Sequence, residues 1–274
     1  MTLIVNSNIA SLTARNQLFD TATALEVSYQ RLSSGFRINS ASDDVAGLQI
    51  VDRFTSQLEG LNMSIRNAND AISLVQTAEG ALQETTTSLQ RIRQLAIQAQ
   101  NGINSSADRA ALQEEVSQLI QEVSRVSSST QFAGNDLLVG TFSSAFQVGA
   151  NSSQTISVNI SRSGGFGASG LGVGTVDIAS ATGASSAITA VDSAISSIGA
   201  QRASLGALQN RFQSAIRNLS NVSENLSSAR SRIQDTDFAS ETANLTRVQI
   251  LQQAATSVLA QSNQRPQSAL SLLG

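Results

Sequence analysis

Cysteine, histidine, tryptophan and lysine are absent from the 274-residue chain, which has one tyrosine and one proline. All 17 basic residues are arginine. There is therefore no imidazole or thiolate for general-base, nucleophilic or zinc chemistry, no amine for a Schiff base and no lysine for a phosphate-binding loop. Those gaps remove most enzyme classes, and no catalytic, cofactor-binding or metal-ligating set is expected. Charged residues make up 14% of the chain with a net charge of -3, which offers no basic footprint for nucleic acid. So few charges leave a lightly solvated surface, tolerable where neighbouring copies cover it. No apolar run is long enough for membrane insertion. The N-terminal MTLIVNSNIASLTARN lacks the basic start and apolar stretch of a cleavable secretory signal, so export would follow a route that does not read one. A lack of cysteine fits any compartment.

What is present is periodic. Residues 8–130 and 187–262 carry helical patterns, and residues 131–183 between them are rich in Gly, Ser and Thr with short β-like runs. Leu18, Ala22, Leu25, Tyr29 and Leu32 recur at spacings of 4, 3, 4 and 3, predicting a first helix with a coiled-coil seam on which Tyr29 packs. Gly35 is the expected left-handed stop, and Ser42-Asp43-Asp44 the cap of the next helix. That helix should run from Val45 to Asn101, about 57 residues or about 85 Å. Its seam reads Leu61, Ile65, Ala68, Ile72 and Val75, then Ala78, Leu82, Thr85, Leu89, Ile92, Ala96 and Ala99. The step of three at Val75–Ala78 is a stammer. Asn101-Gly102 breaks the helix and Ser105 or Ser106 caps the next, with a seam of Leu112, Val116, Leu119, Val123 and Val126. A further helix from about Ala187 carries Ile188, Val191, Ile195, Ile198, Leu205, Phe212, Ile216, Leu219, Leu226 and Ile233, with Arg202 and Gln209 at two seam positions. Stripes of this length cannot be buried on a single helix. The predicted fold is mainly α, a long coiled-coil-like bundle with paired N- and C-terminal helices and a small β-hairpin region.

Between the helical zones, Phe146 to Asn151 and Gln154 to Ile160 predict hairpin strands around a Gly-Ala-Asn turn. Ser163 to Gly174 is expected to be a flexible or irregular surface loop. Gly165-Phe-Gly167-Ala-Ser-Gly170 has the formal spacing of a dinucleotide fingerprint, but Leu171-Gly-Val-Gly174 follows in place of a helix, so a glycine-rich loop is the better reading. Asp43-Asp44 suits helix capping better than a metal, and Glu114, Glu115 and Glu122 suit a solvated face. The segments 8–32 and 238–259 are amphipathic and carry little charge. They either pair only with each other or gain order when many copies supply missing partners. A single proline at position 266 falls where the last helix should stop or turn.

Three motifs carry a family likeness. The run RLSSGFRINSASDDVAGL at Arg31 to Leu48 resembles the N-terminal hallmark of bacterial flagellin. Ser231-Arg-Ile-Gln-Asp-Thr-Asp-Phe-Ala, followed by Gln249-Ile-Leu251 and by Leu259 to Gln267, is similar to its C-terminal hallmark. Phe146-Gln-Val-Gly-Ala-Asn151 resembles its hairpin motif. Phe36, Ser42 and Ser262 stand where the family commonly has Leu, Lys and Ala. The resemblance implies a non-enzymatic filament subunit for motility, short because most of the variable outer domains are missing. In the family's terms, residues 1–44 would be the D0 helix and spoke. Residues 45–186 would supply the D1 helices, hairpins and short Gly/Ser-rich loop, 187–235 the C-terminal D1 helix and 236–274 the C-terminal D0 helix. A hook-filament junction protein shares similar ends, but the match at Arg31 to Leu48 favours flagellin.

The resemblance further implies a helical homopolymer whose inner tube is assembled through Leu18, Leu25, Leu32, Ile250, Leu251, Val258 and Leu259. It implies type III export to the outside of the cell without a cleaved signal, and as partners a secretion chaperone, the filament cap and the hook-filament junction proteins. Recognition by Toll-like receptor 5 is implied at Gln90, Arg91 and Leu95, with Glu115 on the next helix. The density of Ser and Thr in residues 152–186 adds a separate expectation, O-glycosylation at positions such as Ser152, Ser153, Ser163 and Ser169.

Overall fold

A computed structural model describes residues 7–270, with side chains described through Gln264. The helices are α1 (Ile9–Ser34), α2 (Val45–Gln100), α3 (Ser106–Ser129), α4 (Ala181–Gln234) and α5 (Phe238–Leu270). Between α3 and α4 lie the short strands β1 (Gln131–Phe132) and β2 (Asn135–Asp136), then β3 (Thr141–Gln147) and β4 (Thr155–Ser161). The fold is mainly α with a small hairpin region, as the periodicity predicts. Two compact units form, one from Met1–Ser56 with Asn225–Gly274 and the other from Gln57–Glu224. They are called the terminal and the central unit below.

Side-chain caps set the helix starts. Asn8 Oδ1 accepts the Ser11 N–H at 3.1 Å, Asp44 Oδ1 accepts the Gly47 N–H at 2.9 Å, and Ser105 forms a reciprocal capping box with Asp108. Asp237 opens α5 by accepting the N–H groups of Ala239 and Ser240. The Ser105 hydroxyl, with its N–H, draws the carboxyl of Asp108 below its ordinary range; the Ser240 hydroxyl, with the N–H groups of Ala239 and Ser240, does the same to Asp237, and Asp43 shifts likewise under the N–H groups of Ser40 and Asn39. At the end of α1, Gly35 adopts φ 76° and returns its N–H to the Arg31 carbonyl. Gly47 serves close approach instead. A Cβ there would stand 2.5 Å from the capping carboxylate of Asp44 and 2.6 Å from buried Ile38.

The core lies in the central unit. Val75, Ala78, Leu82, Leu89, Ile92, Ala96 and Ala99 of α2 are fully buried against Val116 and Val123 of α3 and Val191, Ile198, Leu205 and Phe212 of α4. The antiparallel pair β3–β4 closes one side, with Ile156, Val158 and Ile160 inward at period two and Phe146 set edge-on to Phe212, centroids 6.2 Å apart.

Four expectations change. The first hairpin strand starts at Thr141, five positions ahead of the expected Phe146, while Gly149-Ala150-Asn151 lie in the connection as expected; Val148 N–H bonds the Gln154 carbonyl, and Gln154 Oε1 accepts the Asn151 N–H. Helix α4 begins at Ala181, six positions ahead of the expected Ala187. The Gly/Ser-rich segment is irregular but not a surface loop, because Phe166, Ala168, Leu171 and Val173 are buried in the core. Its glycines allow this. A Cβ at Gly170 would sit 2.2 Å from the Gly164 carbonyl oxygen, and one at Gly165 would sit 2.5 Å from that of Val139.

The fourth concerns Pro266, which does not stop α5; the helix continues to Leu270. Proline has no N–H, so the carbonyl four residues earlier, on Ser262, loses its helical donor. Asn8 Nδ2 donates to that carbonyl at 2.8 Å, which satisfies the group that proline leaves unpaired.

Candidate assembly surfaces

Helices α1 and α5 pair antiparallel within the terminal unit, Asn8 lying against Ser262 and Ser28 against Glu241. Along α1 the residues Ala14, Leu18, Thr21, Leu25, Ser28 and Leu32, withdrawn from solvent, follow a 4,3 repeat, with Ser11, Val27, Arg31 and Ser34 half-buried beside them. Along α5 the residues Glu241, Leu245, Val248, Gln252, Ala255, Leu259 and Ser262 again follow spacings of 4 and 3, with Asn244 and Gln249 half-buried beside them. The fully buried positions are the small or polar ones: Ala14, Thr21 and Ser28 on one helix, and Glu241, Ala255 and Ser262 on the other. The leucines are only half-buried. Ala22 and Tyr29 are outside this seam; Tyr29 is 52% exposed, and its hydroxyl accepts from Gln249 Nε2 at 3.2 Å. Small side chains at the contact let the two backbones approach closely, which selects Thr21 and Ser28 over bulkier neighbours.

One polar cluster is built into this seam. Ser28 Oγ donates to Glu241 Oε1 at 2.6 Å, and Arg31 Nη1 stands 3.8 Å from Glu241 Oε2. A groove of about 540 Å³ opens beside it, lined by Phe19, Val27, Arg31, Glu241 and Val248 among others. Large apolar side chains point away from the pair. Phe19 is 74% exposed, Ile9 65%, Ile250 59%, and Leu12, Phe238 and Val258 are each above half. Scattered exposed leucines are ordinary on a protein surface. Rows of this kind on two paired helices mark an interaction surface.

The central unit has a polar position on its own seam. Glu79 of α2 accepts Gln209 Nε2 at 2.9 Å and lies 3.6 Å from Arg202 Nη2, so one carboxylate joins the two polar residues placed a heptad apart on α4. A polar group at a seam position fixes register at some expense of stability.

Residues 5–143 match the family described as the bacterial flagellin N-terminal helical region, and residues 188–273 match the bacterial flagellin C-terminal helical region. The chain belongs to the bacterial flagellin family. It is accordingly a structural subunit of the flagellar filament. Flagellin B and flagellin C of Vibrio cholerae are each 38% identical to it, over 376 and 377 aligned positions that cover all of both chains. Since this chain has 274 residues, those relatives carry sequence that it lacks. The crystal structure of Bacillus cereus flagellin is 31% identical, covers 56% of the chain and 88% of its own length, and superposes with a TM-score of 0.51. A flagellar hook-associated protein from Vibrio parahaemolyticus shares the fold at a TM-score of 0.61 over 70% of the chain and all of its own length, with 12% identity.

Of the residues that the flagellin likeness tied to receptor recognition, Gln90, Arg91 and Glu115 are exposed, and Arg91 Nη2 pairs with Glu115 Oε1 at 2.7 Å. Leu95 is buried at 1% exposure and belongs to the core beneath that ion pair, not to the accessible patch. Helix α2 is packed by α3, α4 and the hairpins, so its apolar stripe is wider than one seam and includes Leu74 and Leu95. Among the inner-tube candidates, Leu18, Leu25, Leu32 and Leu259 are half-buried, whereas Ile250, Leu251 and Val258 are exposed. Ser152, Ser153, Ser163 and Ser169 are all exposed.

Proposed function

We propose that the terminal helix pair drives polymerisation by offering neighbouring copies the large apolar side chains that its own seam leaves outside. The observation that carries this reading is the division within α1 and α5 between small buried residues and large exposed ones. Ile250, Leu251 and Val258, with Leu18, Leu25, Leu32 and Leu259, then build the inner tube, and residues 1–44 and 236–274 take the D0 role. Residues 45–186 and 187–235 take the D1 role. The subunit travels outside the cell without a cleaved signal, held before export by a chaperone on its C-terminal segment, and is inserted under the filament cap above the hook-filament junction. The direct test replaces Ile250 and Val258 with serine together. The variant should keep its circular dichroism and lose filament formation; a variant that assembles like the parent contradicts the proposal.

Toll-like receptor 5 recognition uses the exposed Gln90, Arg91 and Glu115, with Leu95 supporting them from below. Exposed arginine beside a packed apolar base is a common interface anchor. Arg91→Ala should reduce receptor signalling by monomer, and unchanged signalling counts against the patch. O-glycosylation falls on Ser152, Ser153, Ser163 and Ser169, whose exposure supports it. Subunits from native filament with the intact mass of the bare 28.6 kDa chain rule it out.

A further inference from the structure

Asn101-Gly102 is the sole Asn-Gly pair of the chain and forms the turn between α2 and α3. Both residues are exposed, and Ile103 beside them is 86% exposed. Asn104 N–H donates to the Asn101 carbonyl at 3.2 Å and closes the turn. Asn101 Oδ1 accepts the Ile103 N–H at 3.4 Å, which draws electron density away from Cγ. Among the described residues no acceptor takes the Gly102 N–H. Gly102 has no Cβ, and one built there would meet nothing within 4 Å, so the turn is open to water. The side-chain amide is thus polarised, and the neighbouring backbone nitrogen is unhindered and uncommitted.

We infer that Asn101 is a site of spontaneous deamidation. Solvent base removes the Gly102 amide proton, and that nitrogen attacks Asn101 Cγ. The new N–Cγ bond closes a five-membered succinimide as the Cγ–Nδ2 bond breaks and ammonia departs with a proton from water. Water then opens the ring at one of its two carbonyls, giving aspartate or isoaspartate, with no change of oxidation state.

Local geometry sets the site apart from two of the Asn-Ser pairs, while at the exposed Asn151-Ser152 the serine Cβ alone hinders attack. Asn39-Ser40 and Asn104-Ser105 are also exposed or half-exposed Asn pairs, but their following N–H groups are held. Ser40 N–H donates to Asp43 Oδ2 at 2.9 Å, and Ser105 N–H to Asp108 Oδ2 at 2.9 Å. A serine Cβ also stands beside each of those nitrogens. At Asn101 the product places a negative charge at the carbonyl end of α2, where the helix dipole disfavours it. Isoaspartate further adds a methylene to the main chain. That displaces the turn through which Asn104 Nδ2 reaches the Gln98 carbonyl at 2.6 Å and Arg109 Nε reaches the Ala99 carbonyl at 3.0 Å. The end of α2 loosens as product accumulates, so each copy carries a chemical record of its age.

The full-length protein is held in mildly alkaline buffer, and its peptides are followed over time by mass spectrometry with fragmentation that separates aspartate from isoaspartate. Conversion at Asn101 should outpace that at Asn104 by about tenfold and rise with pH, and Gly102→Ala should slow it roughly tenfold because the added methyl hinders attack. The open space at Gly102 lets that variant keep its circular dichroism. Conversion at Asn101 no faster than at Asn104, or an undiminished rate in Gly102→Ala, overturns the assignment; the first comparison needs no variant at all.

Discussion

Leu82, Leu89 and Ile92 of the central unit lie at 0% exposure, whereas the corresponding deep positions of α1 are Ala14, Thr21 and Ser28, with Phe19 turned out at 74%. Both regions use the same 4,3 spacing. In the first, the large side chains go inward and each removes enough apolar area to stabilise the fold by about 1.5–3 kcal/mol. In the second, the small ones go inward and the large ones stay exposed, which on the proposed reading leaves their hydrophobic driving force for association. Polar seam residues differ in the same sense. Glu79 is shared by two partners on α4, while Glu241 is held by Ser28 with Arg31 at longer range. Identical helical geometry can therefore yield a finished core or a surface that awaits another molecule, depending on which sizes the sequence puts on the seam.

The contrast is broken most forcefully by truncating equivalent large residues in each region. Phe212→Ala should lower the stability of the isolated protein by about 3–5 kcal/mol. Phe19→Ala, at an exposed site, should change it by no more than about 0.5 kcal/mol while raising the concentration needed for assembly. Denaturant unfolding and sedimentation measure the two effects, and equal destabilisation by both would erase the distinction. A smaller effect is expected at Glu79. Glu79→Ala strands Arg202 and Gln209 at half-exposed positions and should cost about 1 kcal/mol after allowance for solvent screening. Replacing Glu79, Arg202 and Gln209 together by leucine should restore or raise the melting temperature, since register and not stability is what the cluster serves.

At the terminal seam, Ser28→Ala removes the short hydrogen bond to Glu241 and should cost about 1–2 kcal/mol there. Hydrogen exchange should show the loss in α1 and α5 and none in the core of the central unit. The smallest effect is that of acid on the helix starts. Asp43, Asp108 and Asp237 have carboxyls drawn below the ordinary value of 3.8, so their contribution is complete above that pH and is lost as pH falls through the lowered folded values. Protection of the amides at the starts of α3 and α5, taken relative to the intrinsic exchange rate at each pH, should stay constant on acidification to about that point and fall only below it; a fall well above it would show that other groups control these caps.

The heptads were legible in the sequence, and so were the capping residues and the glycine stop at position 35. Leu18, Leu25 and Leu32 were correctly assigned to a seam, but the positions between them were not. A 4,3 pattern can be completed by Ala22 and Tyr29 or by Thr21 and Ser28. Apolarity favours the former, and only the presence of α5 at close range favours the latter. The flagellin likeness, not periodicity, puts Leu95 in the recognition patch; it lies buried beneath Arg91 and Glu115 because a helix with several neighbours buries more than one stripe. Local backbone chemistry at Pro266 predicts a stop, whereas the donor that rescues the Ser262 carbonyl comes from Asn8, at the other end of the chain. The buried Gly/Ser-rich segment has the composition of a loop; its packing rests on glycines that permit backbone contacts too close for any other residue.

Hydrogen exchange of the same preparation as monomer and as filament addresses the main proposition most directly. If the terminal pair is a surface completed by other copies, residues 9–34 and 238–264 should gain protection strongly on assembly, while residues 68–123 change little. Equal protection of the two terminal helices in monomer and filament would contradict it.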